Sequence, residues 1–141
     1  MNAYPDTSFL FSLYVVDGNT AAARSVTLRH RPDFVLTALH ELELANAIEL
    51  AIFHRHLSAK EARAVRKDFE LDLGRWPLRP LPSDAFARAV TLARRHSSRQ
   101  GTRSLDVLHV ASAIALRAEA FLTFDSRQQR LAKAEGLRVV S

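Results

Sequence analysis

The feature that most constrains the fold is an alternation of short apolar runs with longer stretches patterned like helices. The runs have the length of strands, and the stretches between them repeat their apolar residues every three or four positions. Strands that alternate with helices predict an α/β domain with a mainly parallel central sheet. At 141 residues, with no repeat and no segment resembling a linker, the chain is expected to form one domain over 1–141.

The individual elements follow from this alternation and from capping residues. The predicted strands are Ala3–Asp6, Asp33–Leu36, Trp76–Leu81 at a sheet edge, Ala120–Phe124 and Leu137–Val140. Helices are predicted from Thr7 onward and over Thr20–His30, Thr37–Arg55, Ser58–Leu73, Ser83–His96, Ser104–Arg117 and Ser126–Ala134. The segment Ser97–Arg103 is predicted to be a polar, basic loop.

The chain is strongly basic, with a net charge of +5 and a pI near 10.4. All of its basic residues except Lys60, Lys67 and Lys133 are arginines. Arginine binds phosphate through two hydrogen bonds and stacks on bases, so the bias favours a nucleic-acid partner. A GC-rich genome would produce the same bias, and this alternative stays open.

Several classes of protein are excluded by what the sequence lacks. Without cysteine it has neither disulfides nor a thiolate zinc site. It begins with no signal-peptide pattern, and no apolar run reaches the roughly 20 residues of a membrane span. We therefore expect a soluble, cytoplasmic protein that does not associate with membranes.

Against this basic background, four acidic residues lie where they could converge. Asp6 and Asp125 each end an apolar run and begin a helix, Glu43 lies in the long third helix, and Asp106 begins the sixth. In parallel sheets, ligands gather beyond the carboxyl ends of the strands, where the strand order reverses. Three of the four acids also have an ordinary explanation. Asp6 and Asp125 would cap helices, with Gln128 as the capping-box partner of Asp125, and Asp106 would complement a helix dipole.

Glu43 is harder to explain structurally, because it and Asn46 fall within an apolar stripe of their helix. A buried carboxylate is normally paired or bound to a metal. The alternative to a metal is a salt bridge to a neighbouring arginine. The stripe consists of Leu39, Leu42, Leu50 and Phe53.

Other polar residues near the four acids are candidates for supporting roles. His109 lies one turn after Asp106 on the same helix face, although a histidine in an apolar helix is usually a satisfied core residue. Hydroxyl groups that flank the strand-end acids could bind carboxylates or metal-bound water, or simply cap helices; they belong to Thr7, Ser8 and Thr123. Arginines just before Asp106 could contact RNA phosphates, or form a solvated face; they are Arg94, Arg95, Arg99 and Arg103.

A cluster of carboxylates needs a compensating charge. Two unit charges 4 Å apart repel by about 4 kcal/mol at an effective dielectric near 20, so a bare cluster would shift its own pKa values or destabilise the fold. A divalent ion removes this conflict, and ligands that are all oxygen favour Mg²⁺ or Mn²⁺ over zinc. One or two such ions can activate water and stabilise an in-line phosphoryl displacement. The set therefore predicts a metal-dependent phosphodiesterase.

Four motifs, in this order, resemble those of PIN-domain proteins and specifically of VapC-type toxin ribonucleases. They are Asp6-Thr7-Ser8, Glu43-Leu44-Ala45-Asn46-Ala47, Leu105-Asp106-Val107-Leu108-His109-Val110-Ala111 and Leu122-Thr123-Phe124-Asp125. The resemblance spans nearly the whole chain. It departs from the family at Asn2-Ala3-Tyr4-Pro5, where the first strand is usually an aliphatic run.

The resemblance implies a three-layer α/β/α domain with an acidic Mg²⁺/Mn²⁺ site that cleaves RNA internally. It implies that Asp6, Glu43, Asp106 and Asp125 are metal ligands, directly or through water, and that a metal-activated water attacks. It also implies a cognate antitoxin and a homodimer. The alternatives are a catalytically silent PIN-like RNA-binding protein, a PIN nuclease acting on DNA flaps, and a response-regulator-like phosphoacceptor. The last needs a lysine after a late strand, whereas Lys133 lies within the last predicted helix.

Overall fold

The computed structural model describes all 141 residues and contains a four-stranded parallel sheet and seven helices. The strands are β1 (Asn2–Pro5), β2 (Asp33–Phe34), β3 (Ala120–Leu122) and β4 (Arg138–Val140). The helices are α1 (Thr7–Tyr14), α2 (Thr20–His30), α3 (Ala38–Phe53), α4 (Ala59–Asp72), α5 (Ala85–Gln100), α6 (Ser104–Ala115) and α7 (Ser126–Ala134). None of these helices is long and apolar enough to span a bilayer.

The sheet has the order β2-β1-β3-β4, and every neighbouring pair is parallel. The chain passes from β1 to β2 on one side, and β3 then pairs with β1 on the other side. This is the reversal of strand order beside which ligands bind in α/β sheets. The strand ends are joined there, since the backbone N–H of Asp6 donates to the Leu122 carbonyl at 2.8 Å.

Alternating side chains of the central strands divide the core into two layers. Ala3 of β1 and Leu122 of β3 pack with residues of α1, α2, α3 and α4. Tyr4 and Phe121, the neighbours of those residues along the strands, pack on the opposite face with residues of α5, α6 and α7. Because successive strand side chains point to opposite faces, the result is a three-layer α/β/α fold. The predicted fold class is confirmed.

Capping explains where several helices begin. The Ser58 hydroxyl accepts from the N–H of Glu61 at 3.0 Å, and the Glu61 carboxylate accepts from the N–H of Ser58 at 3.1 Å, as the predicted capping box requires. Thr37, Asp6 and Asp125 also occupy the residue before a helix. These caps place two of the candidate acids at the carboxyl ends of β1 and β3.

The predicted edge strand Trp76–Leu81 is wrong. The segment is irregular, and its one backbone link toward the sheet region is from the N–H of Arg79 to the Leu36 carbonyl, at 2.7 Å. Pro77 and Pro80 have no N–H to donate, so the segment cannot form a regular ladder. The sheet therefore has four strands rather than five.

The predicted loop Ser97–Arg103 is also wrong over its first half. Helix α5 continues to Gln100 and ends at Gly101, whose φ of 64° is accessible to glycine without steric strain. Ser83 and Ser104 were expected to cap helices, but the residues before α5 and α6 are Asp84 and Arg103. The remaining differences are shifts of one or two residues at the ends of elements, where helices fray and strand pairing stops.

Candidate active site at the carboxyl edge of the sheet

Asp6, at the end of β1, is fully buried and heavily hydrogen-bonded. Its Oδ1 accepts from the N–H of Phe9 at 2.7 Å and from the Ser8 hydroxyl at 2.9 Å. Its Oδ2 accepts from the Thr123 hydroxyl and from the Gln128 amide, the latter at 3.0 Å. Burial raises the pKa of Asp6, while the bonds from Thr123, Phe9 and Ser8 oppose that rise. All four lone-pair positions of this carboxylate are thus occupied.

Glu43, on α3, points toward the same edge and is held through one oxygen. Its Oε2 accepts from the Thr7 hydroxyl and pairs with Nε2 of His109, while Oε1 accepts no hydrogen bond from the protein. Burial acts to raise the pKa of Glu43, but the hydrogen bond and charge of His109, together with the Thr7 bond, hold that pKa below its ordinary value. The side chain is 21% exposed, so the free oxygen lies where solvent can reach the group.

Two buried histidines form hydrogen bonds near this edge of the sheet. His109, on α6, places Nδ1 2.9 Å from the Tyr4 hydroxyl. His40, on α3, places Nε2 2.8 Å from the Pro5 carbonyl, and its Nδ1 accepts from the N–H of Thr37 at 3.0 Å. Because a carbonyl only accepts, Nε2 of His40 carries the proton and the ring is neutral. Burial, and then the charge of His109, lower the pKa of His40 to about 3.

The other two acids are held less firmly. Oδ1 of Asp125 caps α7 by accepting from the N–H groups of Arg127 and Gln128 at 2.8 and 2.9 Å, and its Oδ2 accepts no bond from the protein. Asp106 lies in the first turn of α6 with its side chain 13% exposed. It has one partner, Nε of Arg103, at 3.4 Å. Both acids keep an oxygen free.

A groove of about 590 Å³ opens beside Glu43, between α1 and α3. Its wall carries Thr7, Ser8 and Asn46, and its apolar part includes Leu42 and Leu105. Of the four candidate acids, only Glu43 lines it. The groove therefore gives access to one end of the acidic edge rather than enclosing the whole of it.

The fold is a four-stranded parallel sheet between two helical layers, with acids at the ends of its central strands. The sequence that forms it matches a known protein family. The family model described as the PIN domain matches residues 3–134. The chain belongs to the PIN domain family. The resemblance inferred from the four motifs is thereby confirmed.

Solved structures support the fold of this PIN domain. VapBC2 from Rickettsia felis, crystallised bound to a DNA fragment from the promoter, has a TM-score of 0.69 and 15% identity over 99% of this chain and 98% of that chain. FitAcB from Neisseria gonorrhoeae has a TM-score of 0.67 and 19% identity over 99% of this chain and 96% of that chain. No curated protein matches the sequence closely enough to show a relationship.

The four acids of this PIN domain are suitable ligands for a hard divalent ion, because every donor is a carboxylate oxygen. Their arrangement is less complete, since no three acidic or histidine side chains converge closely enough to hold an ion. Glu43, Asp106 and Asp125 each keep one oxygen free of hydrogen bonds, whereas both oxygens of Asp6 are occupied. Rotation of side chains would be needed to bring the four together.

The predicted apolar stripe around Glu43 does not form part of the core. Leu42, Leu50 and Phe53 are 67%, 47% and 77% exposed. The buried face of α3 is instead formed by His40, Leu44, Ile48 and Ala51. Glu43 lies beside that face, and its partner is His109 rather than an arginine. Asn46 is exposed and lines the groove without a hydrogen bond to Glu43.

The four arginines proposed for phosphate binding differ in their pairing. Arg95 pairs with Glu135 at 2.9 Å, and Glu135 follows α7. Arg103 lies against Asp106, and Arg94 and Arg99 are exposed along α5. Arg103 is thus the arginine of this set that lies at the candidate site.

Three residues that sequence reasoning missed contact the site directly. They are Tyr4, His40 and Gln128. Gln128 lies three residues after Asp125 as a capping-box partner would, but its amide donates to Asp6 instead. No signal in the sequence distinguishes these partners, because each contact joins residues between 35 and 122 positions apart.

Proposed function

We propose that this PIN domain is a Mg²⁺- or Mn²⁺-dependent endoribonuclease and the toxin of a toxin–antitoxin pair. The observation that carries the proposal is the placement of Asp6 and Asp125 at the ends of the two central strands, with Glu43 turned to the same edge. PIN domains are generally nucleases, and carboxylates gathered in a basic chain suit a metal-assisted reaction on a polyanion.

Asp6, Glu43, Asp106 and Asp125 are the residues proposed to hold the metal. When bound, the metal supplies an activated water and neutralises charge that develops on the phosphate. Thr7 and Thr123 fix the carboxylates of Glu43 and Asp6, and the Ser8 hydroxyl shares that task. Asp6 would have to release one of its four donors to bind the ion directly or through water, because either contact needs a free lone pair.

The substrate and partners follow from the charge and from the family. Arg94, Arg99 and Arg103 are exposed and would contact RNA phosphates, whereas Arg95 is engaged by Glu135. An antitoxin is proposed as the partner in a cytoplasmic complex, since both structural neighbours are named as two-protein systems. A homodimer is proposed on the family resemblance alone.

One observation favours a second candidate, a PIN-like protein that binds RNA without cleaving it. The acids do not converge into a metal-binding group in this structure. Such a protein would bind RNA through its arginines and would be indifferent to divalent ions. It would lose affinity steeply with salt, as phosphate contacts do.

Sequencing of RNA ends after incubation with the purified protein separates the two candidates. With Mg²⁺ or Mn²⁺ we expect new internal ends, and none after chelation with EDTA. Asp6→Asn should abolish them, whereas Asp84→Asn should retain them, because Asp84 is an exposed acid at the start of α5 that pairs with Arg88. Binding of RNA with no new ends under any metal would favour the silent candidate.

A further inference from the structure

The His109 ring is held between two polar groups inside the protein. It is 2% exposed, with Nε2 against Oε2 of Glu43 and Nδ1 2.9 Å from the Tyr4 hydroxyl. An ionised carboxylate only accepts hydrogen bonds, so Nε2 carries a proton and donates to Glu43. This direction is the same whether the ring is neutral or charged. Both nitrogens of the ring are thus engaged, which fixes its orientation about the bond that joins it to the backbone.

Tyr4 is itself immobilised by the sheet. It lies within β1 and is fully buried, with its ring parallel to that of Phe121 at a centroid distance of 5.8 Å. Its ring meets that of His109 edge-on, at 5.6 Å and 69°. The hydroxyl therefore has little freedom to follow a moving histidine. A chain of contacts runs from the rigid strand, through Tyr4 and His109, to Glu43.

This chain determines which oxygen of Glu43 remains available. Oε2 receives two donors, Thr7 and His109, and Oε1 receives none from the protein. Turning the carboxylate to exchange its oxygens would break both bonds in a place where water cannot fully replace them. Oε1 is consequently held in one orientation, free of hydrogen bonds from the protein.

We propose that His109 and Tyr4 are positioning residues that orient the Glu43 carboxylate for binding a divalent ion. The inference rests on the proposed metal-dependent function. Groups that hydrogen-bond to a ligating carboxylate typically change metal affinity or activity by about 10- to 100-fold when removed. If the two residues merely filled the core, their loss would lower stability without changing metal affinity in the folded protein.

The test measures Mn²⁺ binding by calorimetry without RNA, so that it does not depend on cleavage. His109→Leu removes both hydrogen bonds, whereas His109→Gln keeps a donor near the position of Nε2. Tyr4→Phe removes only the hydroxyl. The matched control is Tyr14→Phe, which removes a tyrosine hydroxyl that donates to Asp72 at 2.6 Å, away from the candidate acids. Urea unfolding of each variant measures its stability separately.

We expect His109→Leu to weaken Mn²⁺ binding by roughly 10- to 100-fold, and Tyr4→Phe by roughly three- to tenfold. His109→Gln should stay within about fivefold of the wild type. Adding Tyr4→Phe to His109→Gln should weaken binding no further, because the chain is already broken at His109 and coupled residues are not additive. Tyr14→Phe should bind as the wild type does.

Wild-type affinity in folded His109→Leu or Tyr4→Phe would overturn the proposal, as would an equal loss in Tyr14→Phe. Should His109→Leu not fold, Tyr4→Phe and the double variant decide alone by the same criteria. A wild-type protein that binds no Mn²⁺ and cuts no RNA contradicts the proposed function itself. That result differs from a wild type that binds Mn²⁺ beside variants that bind it equally well.

Discussion

At the end of β1, Asp6 is fully buried and accepts four hydrogen bonds, whereas at the end of β3 Asp125 is partly exposed and uses one oxygen to cap α7. The backbone shows a related contrast. The last carbonyl of β1, at Pro5, accepts from the imidazole of His40, a group that can titrate. The Thr123 carbonyl after β3 accepts from the amide of Gln129 at 3.2 Å, a group that cannot.

Two acids that look alike in the sequence are therefore held in different ways by the fold. The end of β1 is fixed from several directions by α1, α3, α7 and the neighbouring strand. The carboxylate of Asp125, after β3, is held by the N–H groups of its own helix and keeps one oxygen free. If the proposed metal site forms here, Asp6 would be its firmly positioned acid and Asp125 would contribute a free oxygen.

The largest effect expected from this contrast is on stability. Asp6→Ala should lower the free energy of unfolding by roughly 3 kcal/mol or more, because several buried donors lose their acceptor at about 1–3 kcal/mol each. Asp125→Ala should lower it by about 1 kcal/mol, the usual effect of losing a helix cap. Urea unfolding at neutral pH measures both, and equal losses would remove the distinction between the two strand ends.

A smaller loss of stability should appear on acidification at the end of β1. The pKa of His40 falls from an ordinary 6.5 to about 3 on folding, so the unfolded chain binds this proton first. The contribution of His40 to stability is therefore complete above pH 6.5 and is lost progressively as the pH falls toward 3. Protonation would also end acceptance from the N–H of Thr37.

Between pH 6.5 and 5 the wild type should lose up to about 2 kcal/mol more than His40→Gln, because the loss approaches about 1.4 kcal/mol per pH unit once the unfolded histidine is protonated. Comparing unfolding free energies of the two proteins at both pH values cancels the titration of other groups. His54→Gln, at an exposed position after α3, controls for the loss of a histidine as such. Parallel pH dependence in the wild type and His40→Gln would show that His40 does not cause this loss of stability.

The sequence was sufficient to predict the alternation of strands and helices and the placement of the strand-end acids. Both depend on local patterns, since an apolar run followed by an acid and a helix determines where Asp6 and Asp125 lie. It failed at Trp76–Leu81 because apolar composition outweighed the missing donors of two prolines. It failed on α3 because helical spacing cannot show which apolar stripe another element covers.

The partners of the acids were beyond prediction for a different reason. A hydrogen bond such as that from Gln128 to Asp6 depends on where two helices meet the sheet, not on nearby residues. The same holds for His109, which the sequence marked as a possible supporting residue without indicating Tyr4 or the oxygen of Glu43 that it binds. Long-range polar contacts of this kind are set by tertiary packing.

The smallest change in stability is expected for Asp125→Asn, and this substitution also tests the function of Asp125. Asp125→Asn keeps an acceptor oxygen for the N–H groups of Arg127 and Gln128, and asparagine caps helices about as well as aspartate, so stability should change by less than about 0.5 kcal/mol. If the free oxygen of Asp125 serves the metal, the same substitution should still abolish Mn²⁺-dependent RNA cleavage. Urea unfolding and RNA-end sequencing on one preparation measure the two effects together. Full cleavage by this variant would reduce Asp125 to a helix cap and leave the site at the end of β1.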